Sequence, residues 1–139
     1  MTTVTVSEDI KARAADVWAA MSDFSAIKVG GPVTSFETKG SGVGMVRTIG
    51  MGGGKVVERL DRHDAKAMVY AYSIVNEDSV LPVSGYASTV KITDKGDGTC
   101  NVNWSSTFEP KGASEADAIK VVEGIYKGGI ARTRKALRG

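Results

Sequence analysis

Residues 40–54 read GSGVGMVRTIGMGGG and run on into KVVERL at 55–60. Seven of those fifteen positions are glycine, and two folds compete for them. A glycine-rich loop that opens onto a helix N-terminus grips phosphate with free amides and marks a nucleotide-binding α/β protein. Glycines that only turn hairpins mark an antiparallel sheet. Spacing decides between them. A dinucleotide fingerprint has glycine at its first, third and sixth positions; Gly40 and Gly42 supply two, and Met45 stands at the sixth. A P-loop read back from Gly54-Lys55 needs an earlier glycine where Ile49 stands, and Ser or Thr where Val56 stands. Lys55-Val56-Val57-Glu58 also continues as a strand pattern, so no helix N-terminus follows. Gly40 and Gly42 therefore turn one hairpin and Gly52 to Gly54 the next. Val43 to Met51 forms the strand between, with Gly44 and Gly50 as bulges or close approaches.

Working outward, β-branched and aromatic runs recur at 33–38, 55–60, 67–75, 83–93 and 99–108. Short links at 61–64, 76–78 and 94–98 join them. Together with 43–51 these make a six-stranded antiparallel meander. A first strand opens at Thr3-Val4-Thr5-Val6 and ends near Asp9. AADVWAAM at 14–21 has helical period, and Phe24 with Ile27 suggests a second short helix before Gly30-Gly31-Pro32. From Ser114-Glu115-Ala116-Asp117, a capping-box pattern, a long amphipathic helix runs to the end. Its acids come first and its bases last, and Ile119, Val122, Tyr126, Ile130, Thr133 and Leu137 trace one face. The order β-α-α-β6-α predicts an α+β fold: a seven-stranded curved antiparallel sheet wrapped around a long C-terminal helix, one domain over 1–139. A helix crossing the concave side of a twisted sheet leaves space for a pocket.

Composition narrows the function classes. Formal charge is +2 with both signs interspersed, so no basic face suits nucleic acid. No segment has the length of apolar sequence needed to span a bilayer, and the N-terminus lacks a signal-peptide pattern. Cys100 is the only cysteine and His63 the only histidine, which leaves neither an internal disulfide nor a histidine- or thiolate-based metal site. A soluble cytoplasmic protein without metal or cofactor is expected, as a monomer or homodimer.

Several short motifs occur in a familiar order: Asp16-Val17-Trp18, Asp23-Phe24, Gly42-Val43-Gly44-Met45-Val46-Arg47, Glu58-Arg59-Leu60, Tyr72-Ser73-Ile74, Leu81-Pro82-Val83, Tyr86 and Val102-Asn103-Trp104. In that order and spacing, over nearly the whole chain, the sequence resembles the START-like superfamily. More narrowly, it is similar to the SRPBCC branch of polyketide cyclase/dehydrase and lipid transport proteins, kin to the birch pollen allergen and to plant abscisic acid receptors. The resemblance implies a helix-grip fold with a cavity between the sheet and the C-terminal helix, holding a small hydrophobic or aromatic ligand. Fold alone does not fix function. Binding or carriage of such a ligand is the first reading, and a cofactor-independent aromatase/cyclase or dehydratase is the alternative.

The candidate site residues follow from strand alternation and from the resemblance. Val56, Glu58 and Leu60 share a face. If that face is concave, burial would raise the Glu58 pKa and make it an acid, a base or a ligand partner; otherwise Glu58 is exposed and pairs with a cation such as Arg47. Arg47 reads equally as a pocket cation meeting a carboxylate on the ligand or on Glu58, or as a surface arginine on a half-exposed strand. Tyr72 and Ile74 share a face with Met68 and Tyr70. The resemblance implies that Tyr86 lines the pocket, with Ser88 beyond it on the same strand. Catalytic candidates are Glu58, with Tyr72 or Tyr86 to polarise a carbonyl. The strand at 99–108 gives conflicting readings: amphipathicity turns Trp104 inward, whereas the resemblance turns Asn103 and Ser105 inward. Tyr126, Phe24 and Gly129 complete the expected lining, Gly129 by removing side-chain volume. Met51, Gly52, Gly53 and Gly54 are expected to gate the mouth. His63 reads as a solvated turn residue and Cys100 as an inert strand thiol.

Overall fold

A computed structural model describes residues 1–138. The chain forms β1 (Thr2–Ile10), α1 (Ala14–Met21), β2 (Val33–Lys39), β3 (Val46–Met51), β4 (Gly54–Asp64), β5 (Val69–Ile74), β6 (Val83–Asp94), β7 (Cys100–Pro110) and α2 (Glu115–Arg138). All seven strands join one antiparallel sheet in the order β1-β7-β6-β5-β4-β3-β2. β2 to β7 are neighbours in sequence and in space, as short links require, and β1 closes the far edge against β7.

Alternation assigns the concave face. β1 buries Val4, Val6 and Ile10, β6 buries Tyr86, Ser88, Val90 and Ile92, and β7 buries Cys100, Val102, Trp104, Ser106 and Phe108. In β6 the register shifts between Ser84 and Ala87. The extra residue, Gly85, adopts φ +62, a conformation glycine takes without strain. That bulge brings Tyr86 onto the same face as both Val83 and Ser88.

α2 lies across β1 and β7 and touches α1. Ser114 Oγ accepts from the Asp117 amide at 3.2 Å and caps the helix start. Ala118, Val122, Tyr126 and Ile130, spaced four apart, are buried against the sheet. Leu137, expected on that face, is exposed.

Three expectations are corrected. Only one short helix precedes β2: Asp23 Oδ1 accepts from the Ser25 amide at 3.1 Å and from its hydroxyl at 2.6 Å, a local turn that competes with helix at Phe24. β4 runs through Asp61 to Asp64 with a register shift between Leu60 and Arg62, so the turn falls at 65–68 instead. β3 starts at Val46 rather than Val43; Gly44 N instead donates to Leu60 O at 2.8 Å, tying the 40–45 loop to β4.

Candidate functional site

The space expected between sheet and helix is filled by the protein's own side chains. The Trp104 and Tyr126 rings stack with centroids 4.4 Å apart and 15° between planes. Gly129 permits this: a Cβ there would lie 2.8 Å from Trp104 Cζ3. The volume that glycine frees therefore holds the indole.

Around this stack runs a chain of buried polar groups. Trp104 Nε1 donates to Ser88 Oγ at 3.0 Å, and Ser88 Oγ donates to Ser105 O at 3.1 Å. The Ser88 and Tyr126 hydroxyls are 3.3 Å apart, Tyr126 meets Tyr86 in a short hydrogen bond, and Tyr86 meets Tyr72 at 3.2 Å. Burial pushes the Tyr72 and Tyr86 phenols well above the ordinary range, and the Tyr126 phenol up as well, so all three keep their protons at neutral pH. Ser106 Oγ, buried on the same face, lies close enough to act on the Tyr126 hydroxyl but makes no well-formed hydrogen bond among the described residues.

At the Tyr72 end lies a buried ion pair. Arg47 on β3 and Glu58 on β4 stand directly opposite in register, and Arg47 Nε donates to Glu58 Oε1 at 2.8 Å. Arg47 Nη1 also donates to the Phe24 carbonyl at 3.3 Å, and its guanidinium lies 3.8 Å over the Phe24 ring centroid. Burial raises the Glu58 pKa, and the charge and hydrogen bond of Arg47 oppose that rise. Leu60 pairs with Tyr72 across β4 and β5. Glu58 is thus the diagonal neighbour of Tyr72 on one face.

Open volume lies beyond Phe24. A cleft of about 370 Å³ is lined by Ser22, Asp23, Phe24, Gly42, Val43, Met45, Leu60 and His63. Phe24 is its inner wall: one side faces the cleft, and the ring meets Tyr72 with centroids 6.1 Å apart. A second open cleft of about 380 Å³, lined by Arg13, Ala14, Met68, Asp94 and Gly98, is as large, so volume alone does not single out the first; its place in front of Phe24 does.

Every expected residue can now be placed. Phe24 alone of the expected residues lines the cleft; Arg47, Glu58 and Tyr72 are packed behind its ring, and Ser88, Tyr86, Trp104 and Tyr126 form the polar chain further in. Ile74, opposite Glu58 in register, is only partly buried. Asn103 is corrected: it is exposed on the convex face opposite Lys91, because Trp104 points inward and a strand alternates with period two. The gate is corrected too. Met51 and Gly54 are paired strand residues, which leaves a tight turn of Gly52 and Gly53, both at positive φ. A Cβ at Gly54 would overlap Val80, and Asn76 Oδ1 accepts from the Val57 amide at 2.9 Å, so the base of the turn abuts the β5–β6 link, and none of residues 51–54 lines the cleft. His63 is exposed as expected, but it lies in β4, its ring 5.1 Å from Trp18, and it lines the cleft. Asp23, His63 and Val43 as cleft residues were missed. Only the fold brings the α1–β2 segment over β4, and no motif signals it.

Among the described residues no group of three metal-ligating side chains converges, and no helix is long and apolar enough to cross a membrane. The architecture defines the protein as a helix-grip domain. The family model for polyketide cyclase / dehydrase and lipid transport proteins matches residues 1–138, and the chain belongs to that family. An uncharacterised protein from Bacillus thuringiensis is 30% identical over 99% of this chain and 100% of its own, with TM-score 0.84. The protein XoxI from Bacillus cereus is also 30% identical, covering 98% of this chain and 95% of its own at TM-score 0.84. Norcoclaurine synthase from Thalictrum flavum, in complex with dopamine and hydroxybenzaldehyde, shares the fold at 18% identity and TM-score 0.74, covering 98% of this chain and 85% of its own. No curated protein matches.

Proposed function

We propose that the protein binds a small hydrophobic or aromatic molecule, which enters by the cleft at Met45 and His63 and presents its polar group to Arg47, Glu58 and Tyr72. The buried Arg47–Glu58 pair carries this reading. Removing two charges from water costs several kcal/mol per ion, and apolar residues of equal volume often stabilise a core better. A domain of 139 residues that nevertheless buries such a pair, with only the Phe24 ring between it and the cleft, holds a polar group in an apolar setting that a ligand reaches once that ring moves. The ligands named for norcoclaurine synthase, dopamine and hydroxybenzaldehyde, are aromatic molecules with polar groups and suit the same kind of site. The only cysteine, Cys100, is buried and unpaired, which supports a reducing compartment.

Native mass spectrometry of the purified protein is expected to find a co-purifying small molecule. Titration with 2-naphthol is expected to shift the NMR resonances of Phe24, Met45 and Leu60. Failure of every compound in a broad aromatic panel to bind would overturn the reading.

One observation favours catalysis as a second reading. Burial raises the Glu58 pKa, which makes its carboxylate a better proton acceptor for cyclase or dehydratase chemistry. In that case Glu58→Gln keeps ligand affinity and abolishes turnover; unchanged turnover removes Glu58 from the role.

A further inference from the structure

The buried polar chain has a direction that can be obtained by counting protons. It contains four hydroxyls, those of Ser88, Tyr126, Tyr86 and Tyr72, each with one proton to give. It also contains four contacts that each need one proton: Ser88 to Ser105 O, Ser88 with Tyr126, Tyr126 with Tyr86, and Tyr86 with Tyr72. Ser105 O is a carbonyl and can only accept, so the Ser88 proton is committed to it. Ser88 then receives from Tyr126 as well as from Trp104 Nε1. Tyr126, its proton spent, receives from Tyr86, and Tyr86 receives from Tyr72. Any other assignment leaves two buried oxygens facing each other without a proton between them, which is costly. Tyr72 is left with no proton to offer and with a free lone pair, on a ring that packs behind Phe24.

Resting on the ligand-binding reading above, we propose that the ligand's polar end is a hydrogen-bond donor, such as a phenolic or enolic hydroxyl, received by the Tyr72 oxygen once the Phe24 ring turns aside. Ser88, at the far end of the chain, sets that preference without touching the ligand. Glu58 reinforces it: its Oε1 is occupied by Arg47, and its second oxygen has no partner among the described residues. Two of the donor edges of Arg47 are engaged, by Glu58 and by the Phe24 carbonyl. The same direction counts against Tyr72 as the group that polarises a substrate carbonyl, since that role needs a proton to donate.

The test compares 2-naphthol, which donates, with 2-acetonaphthone, which only accepts, by calorimetric titration of the intact protein. Wild type is expected to favour 2-naphthol by about tenfold, the ratio one buried hydrogen bond supports. Tyr72→Phe narrows the ratio, with Glu58 still able to accept. Ser88→Ala combined with Ser106→Ala removes both serine hydroxyls beside Tyr126, frees its proton, lets the chain reverse so that Tyr72 donates, and lowers the ratio below the wild-type value. Ser88→Thr keeps the hydroxyl and keeps the preference. Tyr72→Phe, which retains the ring, carries the test should the double variant fail to fold. Equal affinities in wild type, or an unchanged preference in the folded double variant, overturn the directional inference and leave ligand binding standing. Binding of neither probe, to wild type or variants, overturns both.

Discussion

The two halves of the concave face are held in different ways. Under α2, Val4, Val6, Val102 and Phe108 form one buried cluster with Ala118, Val122, Tyr126 and Ile130, and the fit is tight enough that one methyl on Gly129 would strike Trp104. Over β3 to β5 the cover is thinner: Trp18 of α1 meets His63 and Tyr70 at ring-centroid distances of 5.1 and 6.0 Å. There Arg47, Glu58 and Tyr72 are covered by the Phe24 ring, on an irregular segment beside the cleft. The first half depends mainly on volume and apolar area, with neutral hydroxyls bonded among themselves. The second depends on each charge keeping its partner, which is a specific and breakable arrangement. Stability is therefore concentrated under α2, and access is left to the half that α2 does not cover.

The sharpest way to break that contrast is to remove one charge. Arg47→Met leaves the Glu58 carboxylate buried without its cation and is expected to cost about 3–5 kcal/mol in urea unfolding at neutral pH. Adding Glu58→Leu should recover most of the loss, because the pair is then replaced by apolar volume. A single-variant cost below about 1 kcal/mol would mean that water reaches Glu58 and that this half is open in solution.

Glu58 also sets a pH dependence. Burial holds its native pKa above the ordinary 4.5 despite the opposing effect of Arg47. Between 4.5 and that raised value the native state binds more protons than the unfolded state, so stability falls as pH rises through the window and levels off above it. Melting temperatures at closely spaced pH values should show this slope in wild type and a flatter profile in Glu58→Gln. A slope of the same sign and size in the variant would assign it to another group.

The half under the helix was the more legible in sequence. Alternation in the 99–108 segment points Trp104 inward, and the four-residue spacing of Val122, Tyr126 and Ile130 names the helix face. Both signals are local, and both survive in the structure. The Gly85 bulge was not legible, although it sets the face of Tyr86, because an isolated glycine does not announce positive φ. The other half was legible only residue by residue. Glu58 and Arg47 were read as partners either in the pocket or at the surface, and the structure shows the pair buried. The cleft was legible only through Phe24: its wall joins residues from 22–24, 42–45 and 60–63, which only the fold brings together.

Two glycines of α2 refine the comparison from the other side. Gly129→Ala improves helix propensity by about 1 kcal/mol, but its Cβ would sit 2.8 and 3.1 Å from the rigid indole of Trp104. The indole is stacked on Tyr126 and bonded to Ser88, so it cannot yield cheaply. A net loss of about 1–3 kcal/mol is expected, with a change in Trp fluorescence as the ring shifts. No loss would mean that the packed half has slack.

Gly124→Ala is the smallest effect and the cleanest control. Gly124 lies one turn earlier in the same helix, is exposed, and has nothing within 4 Å of the place a Cβ would occupy. Only propensity and the entropy of the unfolded chain remain, and both favour alanine by about 0.5–1 kcal/mol in total. Chemical denaturation should show a gain of that size, with ligand affinity unchanged. A loss would mean that a glycine is needed on the outer surface of α2, and hence that something packs there in solution. The contrast between a helix side committed to packing and a cleft side committed to recognition would then have to include a third surface.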